Sequence, residues 1–233
     1  MSASKRTAAE LIAELGKNPG FVKQQEEREQ QRLREVDELR VAAAPLLKEL
    51  EELGFKVSAV AELPQKKLSY EKAIPTLLKW LPCGAHPKLK EGIVRALSVP
   101  FAKPKAAPVL IEEFRRASTG QQALKWAIGN ALEVIADDAV FDDVVSLVRD
   151  RTHGKAREML AVSLGNMSDP RAIDVLLELL KDEDVAGHAI MDLGKLGPSR
   201  SRAAIERFLA DPKAWVRKEA KKAIDKIDKS RRA

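Results

Sequence analysis

The sequence predicts an all-α protein: a right-handed α-solenoid of about five helix pairs, preceded by an extra N-terminal helical cap. Three observations lead there. From Tyr70 onward apolar residues recur in matched columns. Leu77, Leu110, Val144, Leu176 and Phe208 stand 33, 34, 32 and 32 residues apart. Helix breakers fall between the units: Pro100 and Pro104, Gly120, Gly154, Pro170, Gly197 with Pro198, and Pro212. Ala, Leu, Glu, Lys and Arg dominate, and aromatics make up only 4% of the chain, a balance that favours helix over sheet.

The elements follow in order. Thr7 and Glu10 form a capping-box pattern, which predicts a short helix from about 8 to 15, ended by Gly16. A long helix is expected from about 21 to 43, through QQEEREQQRLREVDELR. Its first half is polar all round; its second half gains Leu33, Val36, Leu39, Val41 and Ala43. Pro45 is expected to end or kink it, because proline removes an amide donor and crowds the preceding turn. Leu46, Leu47, Leu50 and Leu53 then mark a second amphipathic segment. Residues 1–69 lie outside the repeat and read as a cap, since a bare solenoid end leaves apolar surface open. The apolar positions sustain no long heptad seam, so dimerisation through this helix is a secondary reading and a monomer the first.

The repeat occupies 70–228, in units of about 70–100, 105–136, 139–168, 170–197 and 200–228; residues 229–233 form a basic tail. First helices read AIPTLLKWL (73–81), AAPVLIEEF (106–114), VFDDVVSLV (140–148), AIDVLLELL (172–180) and AAIERFLA (203–210). Pro75 and Pro108 share a column in the first turn, where a missing N–H costs least. Second helices open with Leu89, Leu124, Ala156, Val185 and Val216. They continue one turn on with Ile93, Ile128, Leu160, Ala189 and Ala220, and a turn later with Leu97, Leu132, Leu164, Leu193 and Ile224. Positions i, i+4 and i+8 share one helix face, so each second helix should bury one stripe. One further column reads Val94, Gly129, Ala161, Ile190 and then Lys221. A charge at that place in the last pair suits a terminal unit with a polar outer face.

These A/B pairs, with Asp-Pro turns and WVRKEAKKAI-like second helices, resemble HEAT repeats, above all the short HEAT-like type first named in phycobilin lyases. The resemblance covers about 70–228. The opening TAAELIAELGKNPGFV with the long polar helix also resembles a group of bacterial HEAT-repeat proteins without an assigned activity. What the resemblance implies is a fold; function has to be read from the residues.

Catalytic signatures are absent from the sequence. It has three histidines: His86 and His153 in turns of different repeats, and His188 inside a second helix. HExxH, CxxC, GxxxxGK[ST] and GxGxxG patterns are all missing, so neither a metal nor another cofactor is expected. Cys83, expected after Pro82 in a turn, is the single cysteine and has no internal partner, which fits a reducing cytoplasm. No signal-peptide core or run of about 18 apolar residues appears, so no membrane association is expected. The acidic run KDEDV (181–185) and the pairs Asp137/Asp138 and Asp142/Asp143 read as helix N-terminal charges.

Charge is segregated. Residues 1–70 are neutral, 71–135 carry +5, 136–197 carry −6 and 198–233 carry +7, which sum to the chain's +6. Two basic zones therefore flank an acidic one, and the leading expectation is a non-enzymatic scaffold that binds a protein partner. In HEAT-like solenoids the second helices line the concave face. The resemblance would place a basic column there, Lys90, Lys125, Arg157 and Arg217, interrupted by Ala186. That column either pairs with turn carboxylates such as Asp150 or Asp182, or contacts an acidic partner. Asp192 stands in a column otherwise filled by Ala96, Ala131, Ser163 and Ala223, which makes it a candidate binding residue. Of the tryptophans, Trp80, Trp126 and Trp215, the last falls off its helix's apolar stripe and leads as an exposed contact, beside Arg217, Lys218 and Lys222.

Nucleic-acid binding is the second reading. Some bacterial HEAT-like proteins are glycosylases for alkylated DNA bases, but their aromatic-and-Asp pocket does not map here. Trp126 and Asp192 come nearest, in separate repeats. The −6 segment would also repel phosphates unless its charges face away. A third reading, a lyase or chaperone for a bound chromophore, rests on the phycobilin-lyase resemblance alone.

Overall fold

The computed structural model describes residues 7, 14–66, 69–84, 86–103 and 105–230, and among these every regular element is helical. The predicted capping-box helix over 8–15 lies mostly outside the described residues. The chain divides into two units, one ending at Ala44 and the other running from Pro45.

Helix α1 runs Pro19–Glu52. Asn18 starts it: its Oδ1 accepts the Gly20 amide at 2.9 Å, and Pro19 occupies the first helical position, where its missing N–H matters least. The polar stretch is laced by short-range ion pairs, Arg32–Glu29 and Arg40–Asp37. Of the two outcomes expected at Pro45, an end or a kink, the end does not occur: the helix runs on through Leu46, Leu47 and Leu50 to Glu52. The carbonyl that Pro45 leaves unbonded belongs to Val41, an exposed residue whose backbone water can reach.

In the second unit, helices alternate as the repeat predicts. First helices are α2 (Ile74–Cys83), α4 (Ala106–Arg116), α6 (Phe141–Arg149), α8 (Ala172–Leu179) and α10 (Arg202–Glu206). Second helices are α3 (Pro87–Leu97), α5 (Gln122–Ile135), α7 (Glu158–Leu164), α9 (Ala186–Leu196) and α11 (Ala214–Ser230). Each first helix packs on the second helix of its pair, and consecutive second helices pack on one another. The three predicted second-helix columns are buried throughout, from Leu89, Ile93 and Leu97 to Val216, Ala220 and Ile224. They form the continuous apolar seam of the stack.

Two expectations for first helices need correction. Cys83 is the exposed last residue of α2 and Pro82 lies inside that helix, so neither is in a turn. The last first helix is not a single α-helix over 203–210. It stops at Glu206 and tightens into a 3₁₀ turn over Arg207–Ala210, with Leu209 exposed and Phe208 only half-buried. The matching positions in α4 and α6 are buried by neighbouring first helices.

The N-terminal side of α3 is covered by a 3₁₀ segment, Val60–Gln65, whose Val60 and Leu63 are buried. Tyr70 donates its hydroxyl to the Ala96 carbonyl at 2.9 Å and sets its ring edge-on to Phe101. Neighbouring first helices are stitched by the exposed pairs Arg115–Asp143 and Arg149–Glu178, and Arg200, in the turn before α10, pairs with Asp174 of α8. Such exposed pairs contribute about 1 kcal/mol or less each, so the buried seam carries the fold.

Candidate partner-binding face

The basic column is largely internal. Lys90 reaches the Glu113 carboxylate at 2.7 Å, with Glu113 buried in α4. Lys125 is buried, and its Nζ stands 3.0 Å from His153 Nδ1 and over the Phe114 ring. Burial lowers the Lys125 pKa and that of His153, the latter further depressed by the Lys125 charge. Arg157 is the most enclosed. Its Nη1 donates to Asp182 at 2.8 Å and to the Val148 carbonyl at 2.9 Å, and its Nε donates to the Gly154 carbonyl. That guanidinium holds Asp182 below the usual carboxylate range. Three cations of the column thus bind partners within the fold, tying each second helix to its neighbours. Arg217 is exposed but donates to the carbonyls of Asp211 and Pro212. Lys218 is exposed and makes no ion pair among the described residues, and Lys222 pairs with Glu219 at 2.7 Å.

Asp192 is buried in α9, where its carboxyl lies against Gly165 at the end of α7, so closely that a Cβ there would overlap it. Its Oδ2 has no hydrogen-bond partner among the described residues. Burial pushes its pKa up to about 7; Lys195 pulls the value down and Glu133 pushes it up. Asp192 does not line the groove at Trp126 or the one between the last two pairs. One turn earlier on α9, His188 tilts against the Trp215 ring at 5.4 Å, and burial lowers its pKa. Trp215 is 44% exposed, but the inner edge of its indole fills the space a Gly187 side chain would need. It is half contact surface and half packing.

Trp126 is the more open aromatic, 49% exposed on the outer side of α5. It forms one wall of a groove of about 350 Å³, with Arg95 of α3, Gln122 and Ala123 of α5, and Lys155, Ala156 and Glu158 at the start of α7. Three consecutive second helices build this groove. Arg95 and Lys155 are exposed, and among the described residues neither makes an ion pair. A second groove, about 590 Å³, lies between the last two pairs, lined by Lys181, Glu183, Arg207, Phe208 and Lys213 among others. There Arg207 donates to the Leu180 carbonyl and Lys213 to that of Glu183.

Residues 156–182 match the PBS lyase HEAT-like repeat. The matched HEAT-like stretch runs through α7 and α8, a second helix and the first helix after it, and the Arg157–Asp182 ion pair joins its two ends. No curated protein matches the chain. Among the described residues, no group of three or more His, Cys, Asp and Glu side chains could hold a metal ion, and no helix is long and apolar enough to cross a membrane.

Of the residues singled out from sequence, Trp126, Trp215, Arg217, Lys218 and Lys222 reach the surface, while Lys125, Arg157 and Asp192 are internal and Lys90 is mostly so. The structure does not bring Trp126 and Asp192 into one pocket. Sequence reasoning missed Arg95, Lys155 and Glu158. The signal was present: Trp126 and Glu158 both stand two residues after the first buried position of their helices, and Arg95 six after it, all off the apolar stripe.

Proposed function

We propose that this chain is a non-enzymatic HEAT-repeat scaffold of five helix pairs over 70–228, capped by residues 1–69, which binds a protein partner on the face its second helices present. The observation that carries this reading is Trp126. This half-exposed tryptophan borders a groove shared by three second helices, and its ring offers a large apolar area for a partner to cover. Interface anchors are enriched in tryptophan and arginine, and both stand here. Trp215 with Lys218 and Lys222 supplies a second contact zone towards the other end of the stack. The single thiol, Cys83, fits work in a reducing cytoplasm.

Site-directed photo-crosslinking tests the reading. A photoreactive phenylalanine at position 126 should form a discrete protein adduct in the native host. The adduct should vanish when Arg95 and Lys155 are both reversed to Glu. The same probe at Lys79, on a first helix, should not yield it. Adducts to nucleic acid, or equal labelling from both positions, would contradict a protein-binding second-helix face.

A further inference from the structure

The groove at Trp126 also indicates what kind of segment it takes. We infer that it receives an acidic peptide segment of the partner, anchored by one apolar side chain; this rests on the partner-binding reading above. The argument begins with which cations are committed. Lys90, Lys125 and Arg157 lie in the same second-helix layer, and each is engaged by Glu113, His153 or the Asp182 carboxylate. Arg95 and Lys155 flank the indole and have no ion-pair partner among the described residues, although the chain carries 35 acidic groups that elsewhere pair freely with surface cations. Two unpaired cations on either side of an exposed aromatic ring complement carboxylates spaced around an apolar anchor.

Glu158 refines the choice. It lies on the same groove wall, makes no ion pair among the described residues, and its charge reaches His188. A nucleic acid brings one phosphate per nucleotide and would set negative charge against Glu158, with the net −6 segment 136–197 beyond it. A peptide can put carboxylates at Arg95 and Lys155 and a neutral or donor group at Glu158. The groove's 350 Å³ suits one or two side chains, not a folded domain, so an extended segment laid across α3, α5 and α7 fits best. The indole gives a flat apolar seat for a Phe or Leu of that segment.

The test is a fluorescence-anisotropy titration of the full chain at low salt with three labelled probes: the acidic peptide SESFNESS, its basic counterpart SKSFNKSS, and a twelve-residue oligothymidylate. The acidic peptide should bind at least roughly tenfold more tightly than either other probe, and its affinity should fall with added salt. The double variant Arg95→Glu/Lys155→Glu should invert the preference towards the basic peptide. Both side chains are exposed, so an unchanged thermal melt is expected to accompany the switch. Trp126→Ala should weaken the acidic peptide by roughly fivefold or more. If the basic peptide or the oligonucleotide binds best, and Trp126→Ala abolishes that binding, the acidic-segment inference is overturned while the groove stands as a binding site. If no probe binds, or binding ignores Trp126, both readings fail.

Discussion

Asp192 is a carboxyl held inside a helix layer that other pairs fill with Ala96, Ala131, Ser163 and Ala223. The groups facing it are Lys195 on its own helix, which is bonded to Asn166, and Glu133 from α5; neither neutralises it. Burial raises its folded pKa from the ordinary aspartate range to about 7. The folded state therefore holds this proton more tightly than the unfolded one. The stability it contributes is complete below the unfolded value and is lost as pH rises towards 7. Asp192→Asn should remove that loss, raising the melting temperature more at pH 8 than at pH 5; equal effects at both pH values would show the carboxyl to be solvated. Asp182 has the opposite sign. Arg157 depresses its pKa, so that contribution is present above the usual carboxylate range and fades as pH falls through the folded value. Asp182→Ala leaves the Arg157 guanidinium buried without its carboxylate and should cost about 3–5 kcal/mol in denaturant unfolding. A residue reading of the sequence could flag Asp192 as unusual within its column. It could not tell a ligand site from a buried orphan, because that depends on whether a cavity opens beside it.

At the scale of elements, second helices stack closely where small residues permit. Gly187 lets the Trp215 indole sit directly on α9, and Gly165 lets α7 end against Asp192. Gly187→Ala should drive the ring outward, destabilise the chain by about 1–3 kcal/mol, and red-shift the Trp215 emission. An unshifted spectrum in a background lacking Trp80 and Trp126 would refute that packing. The helix pairing was legible because every second helix repeats the same i, i+4, i+8 apolar spacing, and all fifteen positions from Leu89 to Ile224 are buried. Pro45 and the last first helix were not. Proline's penalty is reduced where the orphaned carbonyl is hydrated, as at exposed Val41. The break after Glu206 depends on which neighbours cover Phe208 and Leu209, which periodicity does not report. The basic column failed as a surface guide for a similar reason. Its spacing showed one shared layer, while the carboxylates and His153 that absorb it come from residues 23 to 28 positions away.

For the molecule as a whole, the sequence displayed a repeat and a segregated charge, and neither names a partner. Lys221 stands exposed where the corresponding Val94, Gly129, Ala161 and Ile190 are buried. Lys221→Leu would extend the apolar layer into solvent and should raise the self-association seen by sedimentation velocity as concentration increases; an unchanged monomer would show that this edge is not a stacking surface. The central claim is that a partner is bound on the second-helix face around Trp126, and amide hydrogen exchange tests it most directly. With the acidic peptide present in excess, protection should rise over Gln122–Ile135 and residues 155–164, with Pro87–Leu97 responding at its Arg95 end, while the first helices Ala106–Arg116 and Phe141–Arg149 keep their free-state rates. Protection confined to the first helices, or no change anywhere at saturating peptide, would contradict the account.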